Sequence, residues 1–254
     1  MTPAQRQPHA VRDLASRRWK GEKILRLLDL APAAMPWRVL EVGTGVGGIA
    51  HYLATHPRVR CEVTSVDVVD LRETREGYRF RLVEGTTLPF ADGSFDVVVS
   101  NHVIEHVGDR GAQIDHLREC RRVLTPEGRG YLAVPNRWML VEPHYRLAFL
   151  SWLPHAWRSR YLRLAGRGQA YDCEPLTVRE LEALFAEARL AAANETVRAL
   201  RETLAIEGAR SWSRRCIGRM PDAVWQRLLP IIPTLVYRFG RQSAPVRERE
   251  VPAR

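Results

Sequence analysis

The segment Glu41-Val42-Gly43-Thr44-Gly45-Val46-Gly47-Gly48 closes the apolar run that begins at Trp37, and its residue types suit a ligand that needs close backbone approach. Glycines at 43, 45 and 47, with Thr44 between them, let the chain turn tightly after a strand and leave amides open at the start of a helix. Through Gly48 the string also satisfies Gly-x-Gly-x-x-Gly, so spacing alone admits a dinucleotide. Glu41 argues the other way: a carboxylate just before the first glycine would repel a pyrophosphate and would suit a ligand amino group. Asp67 ends the next apolar run, 24 residues after Gly43, where it can accept both hydroxyls of a ribose. Such hydroxyls occur in any adenosine cofactor, so Asp67 locates a site without choosing its occupant.

Later motifs make the choice. Leu88-Pro89-Phe90-Ala91-Asp92-Gly93-Ser94-Phe95-Asp96-Val97-Val98 is followed by Val103-Ile104-Glu105-His106-Val107 and then by Arg122-Val123-Leu124-Thr125-Pro126-Glu127-Gly128. Together with Val39 to Gly47, these segments resemble class I S-adenosylmethionine-dependent methyltransferases, in particular the small-molecule branch that includes quinone-biosynthesis enzymes. The resemblance runs from Trp37 to Asn136, with weaker echoes at Leu176 to Leu190 and Ile231 to Arg241. It implies S-adenosyl-L-methionine as cofactor. It also implies that Glu41, Gly43, Thr44, Gly45 and Gly47 surround the methionine end and that Asp67 binds the ribose. Gly85, Thr86 and Thr87 would border the adenine, and Asn101 and His102 would lie beside the sulfonium. Two positions depart from the family pattern: Thr86 stands where an acidic residue usually accepts from the adenine amino group, and Glu127 replaces a glycine of a Pro-Gly-Gly turn.

Transfer of a methyl group needs an in-line approach to the sulfonium carbon, so alignment and exclusion of water supply much of the rate. A base is required only when the acceptor hydroxyl or amine still carries its proton. His144 in Val141-Glu142-Pro143-His144-Tyr145 is one candidate, with Glu142 placed to orient it; His106 and His102 are the others. Each could equally be a hydrogen-bonded structural or surface histidine. His102-Val103-Ile104-Glu105-His106 also matches the His-x-x-Glu-His string of one zinc-peptidase group. No third ligand with suitable context accompanies it, and Cys61, Cys120, Cys173 and Cys216 form no Cys-x-x-Cys pair, so no metal is expected.

The elements that must position these residues follow from hydrophobic periodicity. Short apolar runs at 37–42, 59–67, 78–83, 95–100 and 130–134 read as strands, alternating with helical patterns at 49–55 and 113–124. This implies an α/β, doubly wound, Rossmann-like sheet of seven mostly parallel strands, completed near 191–200 and 231–239. Thr177 and Glu180 stand at capping-box spacing ahead of a helix. Residues 1–36 read as an N-terminal helical flank, with Leu14, Trp19, Ile24, Leu27 and Leu28 available for one face. The methyltransferase domain spans 37–241, and 242–254 read as a flexible tail. Within the domain, 138–171 read as an inserted helical substrate cap whose Trp138, Tyr145, Phe149, Trp152 and Trp157 offer apolar walls.

The 254 residues carry a net charge of +10, almost wholly as arginine, since Lys20 and Lys23 are the only lysines. That charge raises a nucleic-acid methyltransferase as the rival reading, and Arg158-Ser159-Arg160-Tyr161-Leu162-Arg163 mixes arginine with an aromatic. Where amino-methylating DNA enzymes carry Pro-Pro-Tyr, however, this chain has His102-Val103-Ile104, which speaks against a nucleic-acid partner. The expected acceptor is a small or lipid-linked molecule methylated at a hydroxyl oxygen. Peripheral contact with a membrane surface through Trp152, Trp157 and Tyr161 stays open, as does a non-catalytic methyltransferase-like binding domain. With neither a signal-peptide pattern nor an apolar stretch near the roughly 18 residues of a span, a cytoplasmic protein is expected. Oligomeric state is not legible.

Overall fold

The computed structural model describes residues 14–142, 145–207 and 220–242. Strands β1 (Trp37–Val42), β2 (Cys61–Asp67), β3 (Arg79–Leu82), β4 (Phe95–Asn101) and β5 (Leu124–Pro135) form the first part of one sheet. Helices α1 (Leu14–Leu27), α2 (Gly48–Ala54) and α3 (Arg110–Val123) accompany them. Two short strands follow, β6 (Val141–Glu142) and β7 (Leu147–Ala148), and then α4 (His155–Leu164), α5 (Val178–Glu187), β8 (Leu190–Asn194), α6 (Thr196–Glu207), α7 (Asp222–Leu228) and β9 (Thr234–Arg241).

The seven-stranded sheet runs in the order β3-β2-β1-β4-β5-β9-β8. β1 to β5 are mutually parallel, while β9 runs antiparallel to both β5 and β8. Period-two alternation divides each central strand between two cores. Leu40, Val98, Leu132, Val134, Leu235, Tyr237 and Phe239 face the core covered by α3 and α5. Val39, Val97, Val99, Tyr131, Ala133 and Val236 face the core shared with Ile24, Leu27, Leu28, Ile49 and Leu53 of the opposite layer. With both faces covered, the central strands read as unbroken Val and Leu runs. The strand order reverses between β1 and β4, the point where a ligand can sit outside the carboxyl ends of the strands of an open sheet.

Capping explains where the helices on the first face begin. The Asp109 side chain accepts the Ala112 amide at the start of α3, and Thr177 and Glu180 form the reciprocal capping box of α5 that their spacing predicts.

Four sequence expectations are corrected. Trp19 is exposed rather than part of the buried face of α1; at 100° per residue it lies about 140° around the helix from Ile24, off the stripe formed by Ile24, Leu27 and Leu28. The strand expected near 191–200 ends at Asn194, whose side-chain oxygen accepts the Thr196 amide and starts α6. The cap is only partly helical: β6 and β7 pair as a hairpin, leaving α4 as its one α-helix among the described residues. Its aromatic residues also divide. Tyr145 joins Leu150, Leu162, Tyr171 and Cys173 in a small core, whereas Trp138, Phe149 and Trp152 form a partly exposed edge-to-face trio and Trp157 is 57% exposed. Of the expected tail, 242–254, residues 243–254 lie outside the described residues. Among those described, no helix is long and apolar enough to cross a membrane.

Candidate cofactor and acceptor site

The glycine turn is tied to β2. Gly43 and Thr44 donate their amides to the Val66 carbonyl at 2.9 and 3.2 Å, and Gly45 donates to Asp67 Oδ2 at 2.8 Å. The other Asp67 oxygen accepts the Val68 amide at 2.7 Å. That oxygen also accepts the Val69 amide at 3.4 Å, whereas Oδ2 keeps a second acceptor position, so bracing the turn leaves Asp67 able to accept from a ribose hydroxyl. Gly43 has φ +82°, and a Cβ there would sit 2.3 Å from Val103 Cγ2. Gly47 has φ +84°, and a Cβ there would meet the Thr74 carbonyl oxygen and the Tyr78 hydroxyl at 2.3 Å each. Backbone angle and space both require glycine at these two positions.

Glu41 lies under this turn with 1% of its surface exposed, and its Oε2 has no hydrogen-bond partner. Burial pushes its pKa up to about 8, against the pull of the Arg17 guanidinium, and the Asp67 carboxylate adds to the rise. Thr44 Oγ1 is likewise buried and unpartnered. An orphaned carboxylate oxygen and an orphaned hydroxyl at a glycine-rich turn fit the ammonium and carboxylate of an amino-acid moiety.

The segment after β3 adjoins Asp67, whose carbonyl accepts the Val83 amide at 3.0 Å. Gly85, Thr86 and Thr87 follow, half-buried or exposed. The next residues are clasped by α3: Arg122 donates to the Leu88 and Phe90 carbonyls at 2.8 and 2.7 Å, and Glu119 accepts the Leu88 amide at 2.7 Å. Glu119 and Arg122 therefore position this loop. Sequence reasoning assigned them no role, although Arg122 lies in a recognised motif.

At the end of β4, Asn101 pairs in register with Ala133, and His102 turns away with φ +59° while its amide still donates to the Ala133 carbonyl. Val103 comes next and packs on Gly43, so the histidine segment directly adjoins the glycine turn. His102 Nδ1 lies 3.2 Å from Glu105 Oε1, and His106 Nε2 lies 4.0 Å from the same oxygen. Burial alone would raise the Glu105 pKa, but the His102 hydrogen bond and the charges of both imidazoles outweigh it and hold the group below its ordinary value. Residues 104–106 form a single 3-10 turn, which does not present the two histidines of the His-x-x-Glu-His string on one face of an α-helix.

The cap closes against this segment. Glu174 donates its amide to the Glu105 carbonyl at 2.8 Å, and the Tyr145 hydroxyl donates to Asp172 Oδ1 at 3.0 Å. His106 Nδ1 faces the Asp172 carbonyl at 3.4 Å and Cys173 Sγ at 3.9 Å. Burial and then the nearby Asp172 carboxylate push the Cys173 thiol far above its ordinary range. Glu142 is fully buried, and its Oε2 accepts the Tyr145 amide at 2.7 Å. His144, the base that Glu142 was expected to orient, lies outside the described residues. Asp172 and Cys173 carried no sequence signal, and Glu105 drew attention only as part of the peptidase-like string. A hollow of about 610 Å³ lined by Arg38, Glu62, Tyr78, Arg79, Phe90 and Phe95 lies at the amino ends of the strands.

The sheet order and the acid-glycine turn at its reversal define a Rossmann-like methyltransferase fold. Residues 40–132 match the protein-family model described as "Methyltransferase domain". A demethylmenaquinone methyltransferase of Thermotoga maritima is 30% identical over 136 residues, 51% of this chain and 58% of that protein. A tRNA1(Val) (adenine(37)-N6)-methyltransferase of Aeromonas salmonicida is 30% identical over 131 residues, 42% and 55% of the two chains. A ubiquinone biosynthesis O-methyltransferase of Xanthomonas oryzae is 34% identical over 121 residues, 43% and 46%. The chain thus spans about half the length of these curated relatives. Among solved structures, a putative methyltransferase in complex with the Haloferax volcanii Trm112 methyltransferase activator aligns with a TM-score of 0.56 at 17% identity, covering 91% of this chain and 92% of that one. At that identity the likeness concerns the fold alone. Residues 40–132 are accordingly a class I S-adenosylmethionine-dependent methyltransferase domain, with S-adenosylmethionine as its cofactor.

Proposed function

We propose that the chain transfers a methyl group from S-adenosylmethionine to a hydroxyl oxygen of a small or lipid-linked acceptor held between the end of β4 and the cap. The observation that carries this reading is the packing of Val103 on Gly43, which joins the cofactor turn to the segment bearing His102 and His106. Glu41 and Thr44 hold the methionine end through their unpartnered oxygens, Asp67 the ribose, and Gly85 to Thr87 border the adenine. When bound, the cofactor supplies an electrophilic methyl group on a sulfonium.

The residues of the chain orient the acceptor, exclude water and hold its proton. Of the candidate bases, His102 is the best supported: its Nδ1 is fixed by Glu105, leaving Nε2 as the nitrogen that takes the acceptor proton. Glu142 fixes the cap by binding the Tyr145 amide. Support for a hydroxyl acceptor also comes from the resemblance to quinone-biosynthesis enzymes.

Calorimetry with S-adenosylmethionine, S-adenosylhomocysteine and NAD tests the cofactor, and transfer of labelled methyl to quinols, amines and RNA tests the acceptor. Binding of NAD alone overturns the reading. Transfer only to amines or RNA overturns the oxygen assignment. His102→Gln should lower kcat by about 10²-fold or more while leaving cofactor affinity within a few-fold; unchanged turnover removes His102 as the base.

A further inference from the structure

His106 ends the turn after β4, and Asp172 and Cys173 lie where the cap returns to the sheet, 66 and 67 residues further on. One imidazole nitrogen, one carboxylate oxygen and Cys173 Sγ lie within 4.8 Å of one another. Sγ is 3.9 Å from His106 Nδ1 and 3.7 Å from Asp172 Oδ1. Zinc bonds of about 2.3 Å to sulfur and 2.0 Å to nitrogen or oxygen give tetrahedral edges of roughly 3.5 Å. The two sulfur pairs match these edges to within a few tenths of an ångström, and the nitrogen-to-oxygen edge, within 4.8 Å here, closes to about 3.3 Å through side-chain movement of up to about 1.5 Å.

The surroundings point the same way. Glu105 is fully buried, its Oε2 has no hydrogen-bond partner, and its Oε1 lies on the far side of the His106 ring, 4.0 Å from Nε2. Metal-bound histidines commonly have a carboxylate near the second ring nitrogen, as Glu105 is to Nε2; on coordinating, Nδ1 would give up its 3.4 Å contact with the Asp172 carbonyl and the ring proton would sit on Nε2. Asp172 Oδ1 has its own outer partner in the Tyr145 hydroxyl at 3.0 Å.

We propose that His106, Asp172 and Cys173 form a three-ligand site for a zinc-class divalent cation that fastens the cap to the end of β4. A thiolate, an imidazole and a carboxylate together favour zinc over magnesium or calcium, and three protein ligands leave a fourth position for water or an acceptor oxygen. Binding displaces the thiol proton of Cys173 to solvent. The site differs from the His-x-x-Glu-His string: only His106 of the two histidines takes part, and its partners come from the cap. The sequence expectation of no metal concerned a third ligand for the His102 and His106 pair, whereas the partners proposed here lie 66 and 67 residues beyond His106.

The test uses the full chain, reduced, stripped of metal and without S-adenosylmethionine, so that it does not depend on the methyl-transfer reading. Titration with Co²⁺ should produce one equivalent of tetrahedral cobalt with a thiolate-to-cobalt charge-transfer band, bleached by Zn²⁺. Cys173→Ser should abolish that band and Cys61→Ser should keep it. Asp172→Asn, read by the same titration, should weaken Co²⁺ binding by about 10-fold or more, and this variant decides the matter if Cys173→Ser does not fold. Absence of the band in the parent chain, its persistence in Cys173→Ser, or unchanged affinity in Asp172→Asn overturns the proposal.

Discussion

Asp67 Oδ2 accepts the Gly45 amide at 2.8 Å, so the acid at the end of β2 builds the glycine turn. Asp67→Asn retains one acceptor oxygen and places an NH₂ against either the Gly45 or the Val68 amide. Loss of about 1–2 kcal/mol of stability is expected, with S-adenosylmethionine affinity falling by about 10-fold or more, equivalent to about 1.4 kcal/mol. Urea denaturation and calorimetry measure the two effects; undiminished affinity would show that Asp67 only braces the turn.

Gly43→Ala should destabilise through two separable causes. Its left-handed backbone costs about 1–2 kcal/mol for an alanine, and the new Cβ meets Val103 Cγ2, which adds about 1–3 kcal/mol of overpacking. In a Val103→Ala background the second cost should largely vanish and the first persist. Equal Gly43→Ala effects on the denaturation midpoint in both backgrounds would contradict the packing of Val103 on the turn.

For Glu41, binding and stability should change in opposite senses. Its pKa is raised from 4.5 to about 8 by burial, so the folded protein binds the extra proton and stability declines as pH rises from about 4.5 through 8. Glu41→Gln removes this dependence, leaving the ligand-free chain at least as stable as the parent above pH 8. The same variant should bind S-adenosylmethionine more weakly, because an amide cannot pair with the ammonium as a carboxylate does. Thermal melts across pH and calorimetry test the two halves; stronger binding by Glu41→Gln would remove the ammonium assignment.

His116 should make the fold acid-sensitive. It is buried with Nε2 3.0 Å from Ser100 Oγ, and burial lowers its pKa from 6.5 to about 4. Between those values the unfolded chain binds the proton and the folded chain does not, so stability is lost as pH falls from about 6.5 to 4, by an amount on the order of 3 kcal/mol. His116→Gln should flatten this part of the stability profile. An unchanged slope would mean that other groups carry the acid response.

The fold and the glycine turn were legible because each rests on local pattern. The acid-glycine turn, the Val and Leu runs of the central strands and the spacing of Thr177 and Glu180 concern residues near in sequence, whose backbone angles, periodicity or hydrogen bonds depend on their own types. Even there the limits were local: Trp19 was assigned to the wrong face of α1 although its angular position could be counted, and the edge strand β8 carried too little side-chain signal to show where α6 begins.

The arrangement around the end of β4 was decided by the tertiary structure. Nothing in the identity of Glu105 says that it will be buried between two imidazoles, and nothing near Arg122 says that its guanidinium will hold the Leu88 and Phe90 carbonyls. Asp172 and Cys173 meet His106 only because the cap folds back on the end of β4, an outcome set by loop geometry and side-chain packing across 66 residues rather than by any period in the sequence. The sequence alone determined the alternation of strands and helices and the acid-glycine turn after β1; that this turn lies at the reversal of the sheet, and which side chains gather opposite it, depended on the fold that brings the cap home.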